Sequence, residues 1–182
     1  RWERWAGGFQ NKKLVDLGAG PGLYTLEFIR RGAQVTWWDV SQSYLQLAKD
    51  LLNKHRLSAE FHLDYMDHLT GSYQLLFNRV CWYYCFDDKR FLQVIYNALT
   101  PGGCACLQLH NEYRVFHNTH GIVRGALLKA SFYLNEWFGI KIGHVMPSRK
   151  RIRKLFSSYQ FSELVIEEYG TNGDSTLIWL KK

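Results

Sequence analysis

The sequence predicts an α/β fold, an open and mostly parallel sheet ending in an antiparallel hairpin, and three observations carry that prediction. Short apolar runs alternate with amphipathic segments through most of the 182 residues, the rhythm of right-handed strand-helix-strand crossovers. The first run, "KLVDLG", is apolar except for Asp16, as expected of a strand covered on both faces. Only the end departs from the rhythm, where "FSELVIEEYG" and "STLIWLKK" flank the turn signal "TNGDS" in the pattern of a hairpin.

The elements follow in order. Residues 2 to 9 read as the tail of a helix with Trp2 and Trp5 on one side. After "KLVDLG" come a turn at Gly18 to Gly22 and the segment "LYTLEFIRRG", a helix carrying Leu23, Leu26, Phe28 and Ile29 that Gly32 stops. "AQVTWWDVS" is a second strand, Ser41 caps the helix "QSYLQLAKDLLNKH", and "AEFHLDY" is a third strand. "YQLLFNRV" is the fourth strand, "DDKRFLQVIYNAL" a helix broken by "TPGG", and "CACLQLHN" the fifth strand. Residues 119 to 147 interrupt the alternation with a helical insertion, and no linker divides the chain, so residues 1–182 form a single domain.

Composition narrows the class. With 47% of residues hydrophobic and 21% charged, the chain is neither disordered nor a charged tail. No run approaches the roughly 20 apolar residues of a membrane span. The chain starts at Arg1 without Met, and its first residues lack the apolar centre of a secretory signal, which reads as an internal start. Cys81, Cys85, Cys104 and Cys106 lack the spacing of a zinc ribbon or a disulfide scaffold, so reduced thiols and a cytoplasmic location are expected. The net charge of +7 favours acidic partners in general, and solubility explains it equally well.

The bend at Gly18 to Gly22 lies beyond the carboxyl end of the first strand, where open parallel sheets hold their ligands. Glycines let a backbone approach a ligand, and the following helix offers free N–H groups to a polar or anionic one. Asp39 ends the second strand 19 residues after Gly20, placed to accept hydrogen bonds from a ribose. Leu23 stands where the dinucleotide fingerprint asks for Gly or Ala, and the Lys of a Walker A loop is missing. NAD and that kind of ATP site are disfavoured.

The run Asp16-Leu17-Gly18-Ala19-Gly20-Pro21-Gly22 resembles the acidic-x-Gly-x-Gly-x-Gly signature of the class I S-adenosylmethionine-dependent methyltransferases. "ALTPGG" at 98 to 103 is similar to the family's turn before its fifth strand, and the likeness covers nearly the whole chain. It implies a Rossmann-like, doubly wound sheet of seven strands, mostly parallel with an antiparallel final strand, and S-adenosylmethionine as cofactor. It also implies a cofactor site of Asp16, Gly18, Ala19, Gly20, Gly22, Asp39 with its neighbour Val40, Asp64, Tyr65 and Asn78, with Asp39 on the ribose and Asp64 and Tyr65 at the adenine. Bland readings stand beside these: Asp16 as a turn-satisfying carboxylate, Asp39 as a partner of the helix that Ser41 caps.

The acceptor side is less legible. Asn78 and Arg79 end the fourth strand, His110 and Asn111 the fifth, and His110 and His117 are the candidate catalytic bases, with His120 a third. Each is equally explained by hydrogen bonds within a loop. Trp82, Tyr83 and Tyr84 wall a pocket or fill the core. His62, Asp64, Asp67 and His68 include metal-ligand types, but alternation separates them and no metal is expected. In the insertion, Ile122, Ala126, Leu127, Ala130, Tyr133, Leu134 and Trp137 recur at helical spacing with Phe132 and Phe138 beside them. That surface reads as ordinary packing, a lid over an apolar acceptor, or a membrane- or partner-facing patch. Arg149, Lys150, Arg151, Arg153 and Lys154 make a basic face that is simply solvated or contacts RNA phosphates. "IGHVMPSRKRIRKLFSSYQF" resembles a segment of small-molecule and glycan O-methyltransferases. The expected reaction is therefore methyl transfer to a small-molecule or glycan-linked acceptor, with an RNA methyltransferase or an inactive cofactor-binding subunit as alternatives.

Overall fold

The computed structural model describes residues 1–110, 121–170 and 175–182. Seven strands form one sheet: β1 (Lys13–Leu17), β2 (Gln34–Asp39), β3 (Glu60–Leu63), β4 (Tyr73–Arg79), β5 (Leu99–His110), β6 (Glu163–Tyr169) and β7 (Ser175–Lys181). Their order is β3-β2-β1-β4-β5-β7-β6. Neighbours from β3 to β5 pair in parallel, and β7 runs antiparallel to both β5 and β6. Strand order reverses at β1, which lies between β2 and β4. The crevice that such a reversal opens lies beyond the carboxyl ends of β1 and β4.

Helices α1 (Trp2–Trp5), α2 (Leu23–Arg30), α3 (Gln42–Lys54), α4 (Asp88–Ala98), α5 (Ile122–Phe138) and α6 (Arg149–Phe156) complete the fold. Ser41 Oγ caps α3 by accepting from Tyr44 N–H at 3.3 Å, and the Asp87 carboxylate caps α4 by accepting from Lys89 and Arg90 N–H. Period-two alternation divides the strands between two cores. Val15, Leu17, Leu76, Ala105 and Leu107 face Phe91, Ile95, Ile152 and Phe156 on one side. Leu14, Val35, Leu75, Phe77 and Cys106 face Trp2, Phe9 and Phe28 on the other. Asp16 shares the second face with Leu14, which aims it at α2 rather than at solvent.

Three expectations change. Leu23 is 63% exposed, and Thr25, Leu26 and Phe28 are the residues that α2 buries. "TPGG" does not precede β5 but lies within it: Tyr73 pairs with Leu99 and Leu75 with Cys104, so the extra residues bulge out. The third change is the insertion, where α5 turns Ser131, Phe132 and Asn135 inward while Ile122, Val123, Leu127, Trp137 and Phe138 are exposed. Among the described residues no helix is long and apolar enough to cross a membrane.

Candidate functional site

The site assembles around the bend between β1 and α2. Gly18 and Ala19 N–H both donate to Trp38 O, at 2.7 and 3.2 Å, which ties the bend to β2. Trp37 Nε1 donates to Gly20 O at 2.9 Å. Gly20 N–H donates to Asp39 Oδ2 and Ser41 N–H to Asp39 Oδ1, both at 2.9 Å. Asp39 therefore organises the backbone and caps the turn into α3, and lone pairs on both oxygens remain for a ligand.

Gly20 and Gly22 both have positive φ, for different reasons. A Cβ at Gly22 (φ 83°) would stand 2.8 Å from Ala48 Cβ, so this glycine lets α2 and α3 approach. A Cβ at Gly20 (φ 55°) would meet nothing within 4 Å. That space lies over the bend, at the foot of Asp39.

Asp16 is buried, and its Oδ2 accepts from Thr25 Oγ1 at 2.6 Å. Burial pushes its carboxyl up to about 7 against the pull of the Thr25 hydrogen bonds, with the Asp39 charge adding a little. Asp64 N–H donates to Asp39 O, and its carboxylate accepts from Tyr65 N–H and pairs with His68 Nδ1. Those two bonds, the backbone one first, hold the Asp64 carboxyl below the usual carboxylate range. Val40 and Tyr65 are exposed, 55% and 61%, and flank these two acids. Of the metal-ligand types nearby, His62 stacks on Trp38 and pairs with Glu60, while His68 pairs with Asp64. Among the described residues no group of three or more His, Cys, Asp or Glu is placed to hold a metal ion.

Asn78 is fully buried at the end of β4, and its Nδ2 donates to Leu17 O at 2.7 Å. Its Oδ1 is buried with no hydrogen-bond partner among the described residues, a lone acceptor beside the bend. Val80 comes two residues later with φ 56°, a left-handed conformation unusual for a β-branched side chain. It swings the chain into a single 3₁₀ turn, Trp82–Tyr84, and Cys81 Sγ lies 3.6 Å from Gly18 O. Burial pushes the Cys81 thiol up to about 12, and all four cysteines are free thiols.

His110 ends β5 opposite Ser175. His117, His120 and Asn111 lie outside the described residues. Trp82 is fully buried and belongs to the core, whereas Tyr84 is 53% exposed. Arg151 is not on a solvated basic face: it is buried, with Nε 3.3 Å from Asp88 Oδ2. The same carboxylate accepts from Trp82 Nε1 and Asn135 Nδ2, and Lys141 Nζ lies 2.5 Å from it while also donating to Cys85 O. Sequence reasoning missed His144, which this cluster holds against Tyr83, Tyr84 and Phe86. It lies within the segment that resembles O-methyltransferases, but nothing local gives it a role, because its neighbours come from a segment some 60 residues earlier in the chain.

Comparison with known proteins gives the class. Residues 14–103 match the family model described as "Methyltransferase domain". The S-adenosylmethionine-dependent methyltransferase of Mesorhizobium loti has the same fold, with a TM-score of 0.73 at 18% identity over 96% of this chain and 93% of that one. The chain belongs to the class I S-adenosylmethionine-dependent methyltransferases, whose cofactor is S-adenosylmethionine. Among curated relatives, the tRNA 5-carboxymethoxyuridine methyltransferase of Escherichia coli K12 is 24% identical over 131 residues, 69% of this chain and 48% of that protein. The ubiquinone biosynthesis O-methyltransferase of Pasteurella multocida is 38% identical over 60 residues, 33% of this chain and 23% of that protein. The chain thus spans about half the length, 48%, of the first of these relatives.

Proposed function

We propose that this chain transfers the methyl group of S-adenosylmethionine to a hydroxyl oxygen of a small-molecule or glycan-linked acceptor. The observation that carries the reading is the open space above Gly20 with Asp39 at its foot and the orphaned Asn78 Oδ1 to one side. A nucleoside lying over the bend fits that space, its ribose hydroxyls donating to Asp39. Gly18 and Ala19 line the approach, Val40 and Tyr65 cover the adenine, and Asp64 stands at its edge. Asn78 Oδ1 and Asp16 take the ammonium of the amino-acid end, directly or through water. Gly22 acts through the fold, by bringing α2 up to α3. The cofactor supplies an electrophilic methyl on a sulfonium, so the chain's own task is to hold acceptor and methyl in line and to receive a proton.

Oxygen as the acceptor atom is supported by the name of the Pasteurella relative, an O-methyltransferase. The sequence alone offers His110 and His117, at and after the end of β5, as candidates to receive that proton. RNA is the second reading, favoured by the tRNA-modifying relative and by the net charge of +7. Calorimetry with S-adenosylhomocysteine, followed by label transfer from methyl-labelled S-adenosylmethionine to hydroxyl acceptors and to tRNA, tests both. No heat at saturating product would overturn the reading at its root.

A further inference from the structure

His144 stands where the insertion meets the carboxyl end of β4. Its ring lies 5.1 Å from Tyr84, 5.3 Å from Phe86 and 6.2 Å from Tyr83, centroid to centroid. Tyr83 and Tyr84 lean on one another at 4.2 Å. His144 is exposed, as are Tyr84 at 53% and Phe86 at 54%, so the rings make an accessible aromatic floor. Nδ1 lies 3.3 Å from Tyr83 O. A backbone carbonyl only accepts, so Nδ1 carries the hydrogen, and in the neutral ring the lone pair then sits on Nε2. The floor adjoins the bend, because Cys81, two residues before Tyr83, touches Gly18. Asp88 and Lys141 fix the loop that carries the histidine from a buried anchor.

We propose that Tyr83, Tyr84, Phe86 and His144 form the acceptor site, that it takes a planar aromatic hydroxyl compound, and that His144 Nε2 receives the hydroxyl proton. The proposal rests on the methyl-transfer reading and names its acceptor class. Three rings around one lone pair suit a flat apolar body with one reacting hydroxyl. A sugar would ask for several polar partners, whereas among the described residues the titratable groups whose rings meet the imidazole are the phenols of Tyr83 and Tyr84, whose hydroxyls engage each other. In the transfer, a lone pair of the acceptor oxygen forms the O–CH₃ bond as the S–CH₃ bond breaks. That bond's electron pair returns to sulfur, which becomes a neutral thioether. The O–H proton passes to Nε2 and then to water, so the oxygen never retains a positive charge.

The test compares two phenols: 4-methoxyphenol, which is un-ionised at neutral pH, and 4-nitrophenol, which is substantially ionised there. With 4-methoxyphenol, His144→Ala should lower kcat by about 100-fold or more, within the range for a lost general base. With 4-nitrophenol the loss should be much smaller, since that proton has already left, and added imidazole should restore part of the 4-methoxyphenol rate. S-adenosylhomocysteine affinity should hold, while Tyr84→Ala and Phe86→Ala should raise KM for both phenols. Equal losses with both phenols would overturn the base. So would a parent chain that binds S-adenosylhomocysteine yet methylates neither phenol, whatever it does with methyl glucoside or cyclohexanol. A parent chain that fails to bind S-adenosylhomocysteine overturns the methyl-transfer reading itself, and this proposal with it.

Discussion

Burial holds the Asp16 carboxyl at about 7 in the folded chain, against 3.8 for an unperturbed aspartate. Between those values the folded state binds the proton more tightly than the unfolded one, so folding takes one up. Asp16 therefore favours folding most below 3.8, and stability falls as pH rises towards about 7. Asp16→Asn, neutral throughout, should remove that slope and melt higher than the parent at pH above 7. A melting series across pH checks the sign. If the ammonium of the cofactor meets this carboxyl, binding must expel the proton, so affinity should climb with pH up to about 7 in the parent and stay flat in Asp16→Asn. Calorimetry in buffers of different ionisation enthalpy counts the proton. Asp39→Ala should weaken S-adenosylhomocysteine at least about tenfold, through loss of charge-assisted hydrogen bonds. It should also lower the melting temperature, because Gly20 and Ser41 N–H lose their acceptor. At this scale the sequence was informative where chemistry is local: the acids and glycines of the bend stand a few residues from the strand ends that define them. The sequence singles out Asn78 too, but its orphaned oxygen appears only once Leu17 O has taken the amide.

Glycines separate the element from the site it carries. Gly22→Ala should cost stability by pushing α2 from α3 and straining a positive φ, by more than the roughly 1 kcal/mol that a glycine-to-alanine change gains where the backbone allows it. Gly20→Ala also strains φ but meets no protein atom, so its larger effect should fall on S-adenosylhomocysteine affinity. Paired melting and binding curves for the two variants should cross, one failing mainly in stability and the other mainly in binding. The alternation of strands and helices was legible because each strand's apolar run and each cap is written within about ten residues. The orientation of α5 was not, since its apolar residues outnumber those one face needs and periodicity cannot choose between faces. What decides is distant: Asn135 is drawn inward by Asp88, and Ser148 is held by Glu136, which accepts from both its N–H and its Oγ. Phe132→Ala should accordingly destabilise the chain by about 3 to 5 kcal/mol as a buried aromatic. Trp137, 70% exposed, should cost little on truncation. If Trp137→Ala, while sparing the melting temperature, also impairs acceptor turnover, α5 acts as a lid.

Across the whole molecule the net charge of +7 gives the RNA reading its own test. Binding to tRNA through phosphate contacts must weaken steeply with salt, with a slope near the number of phosphates neutralised. A flat dependence would leave the small-molecule acceptor as the better reading. The buried Asp88 cluster also acts at this scale, because it joins the turn after β4, the start of α4, the second half of α5, Lys141 and α6. To release that half of α5, a carboxylate and two cations must break their shared contacts together, a cooperative event close to global unfolding. In the first half no residue from 122 to 130 is buried. Amide hydrogen exchange should therefore divide this one helix at Ser131. Amides before it should exchange by local fraying at rates indifferent to denaturant, and those after it only by the opening that also exposes β4 and α4. Asp88→Asn should merge the two regimes by letting the second half exchange like the first. A helix that exchanges as one block in the parent would mean that something else anchors its beginning.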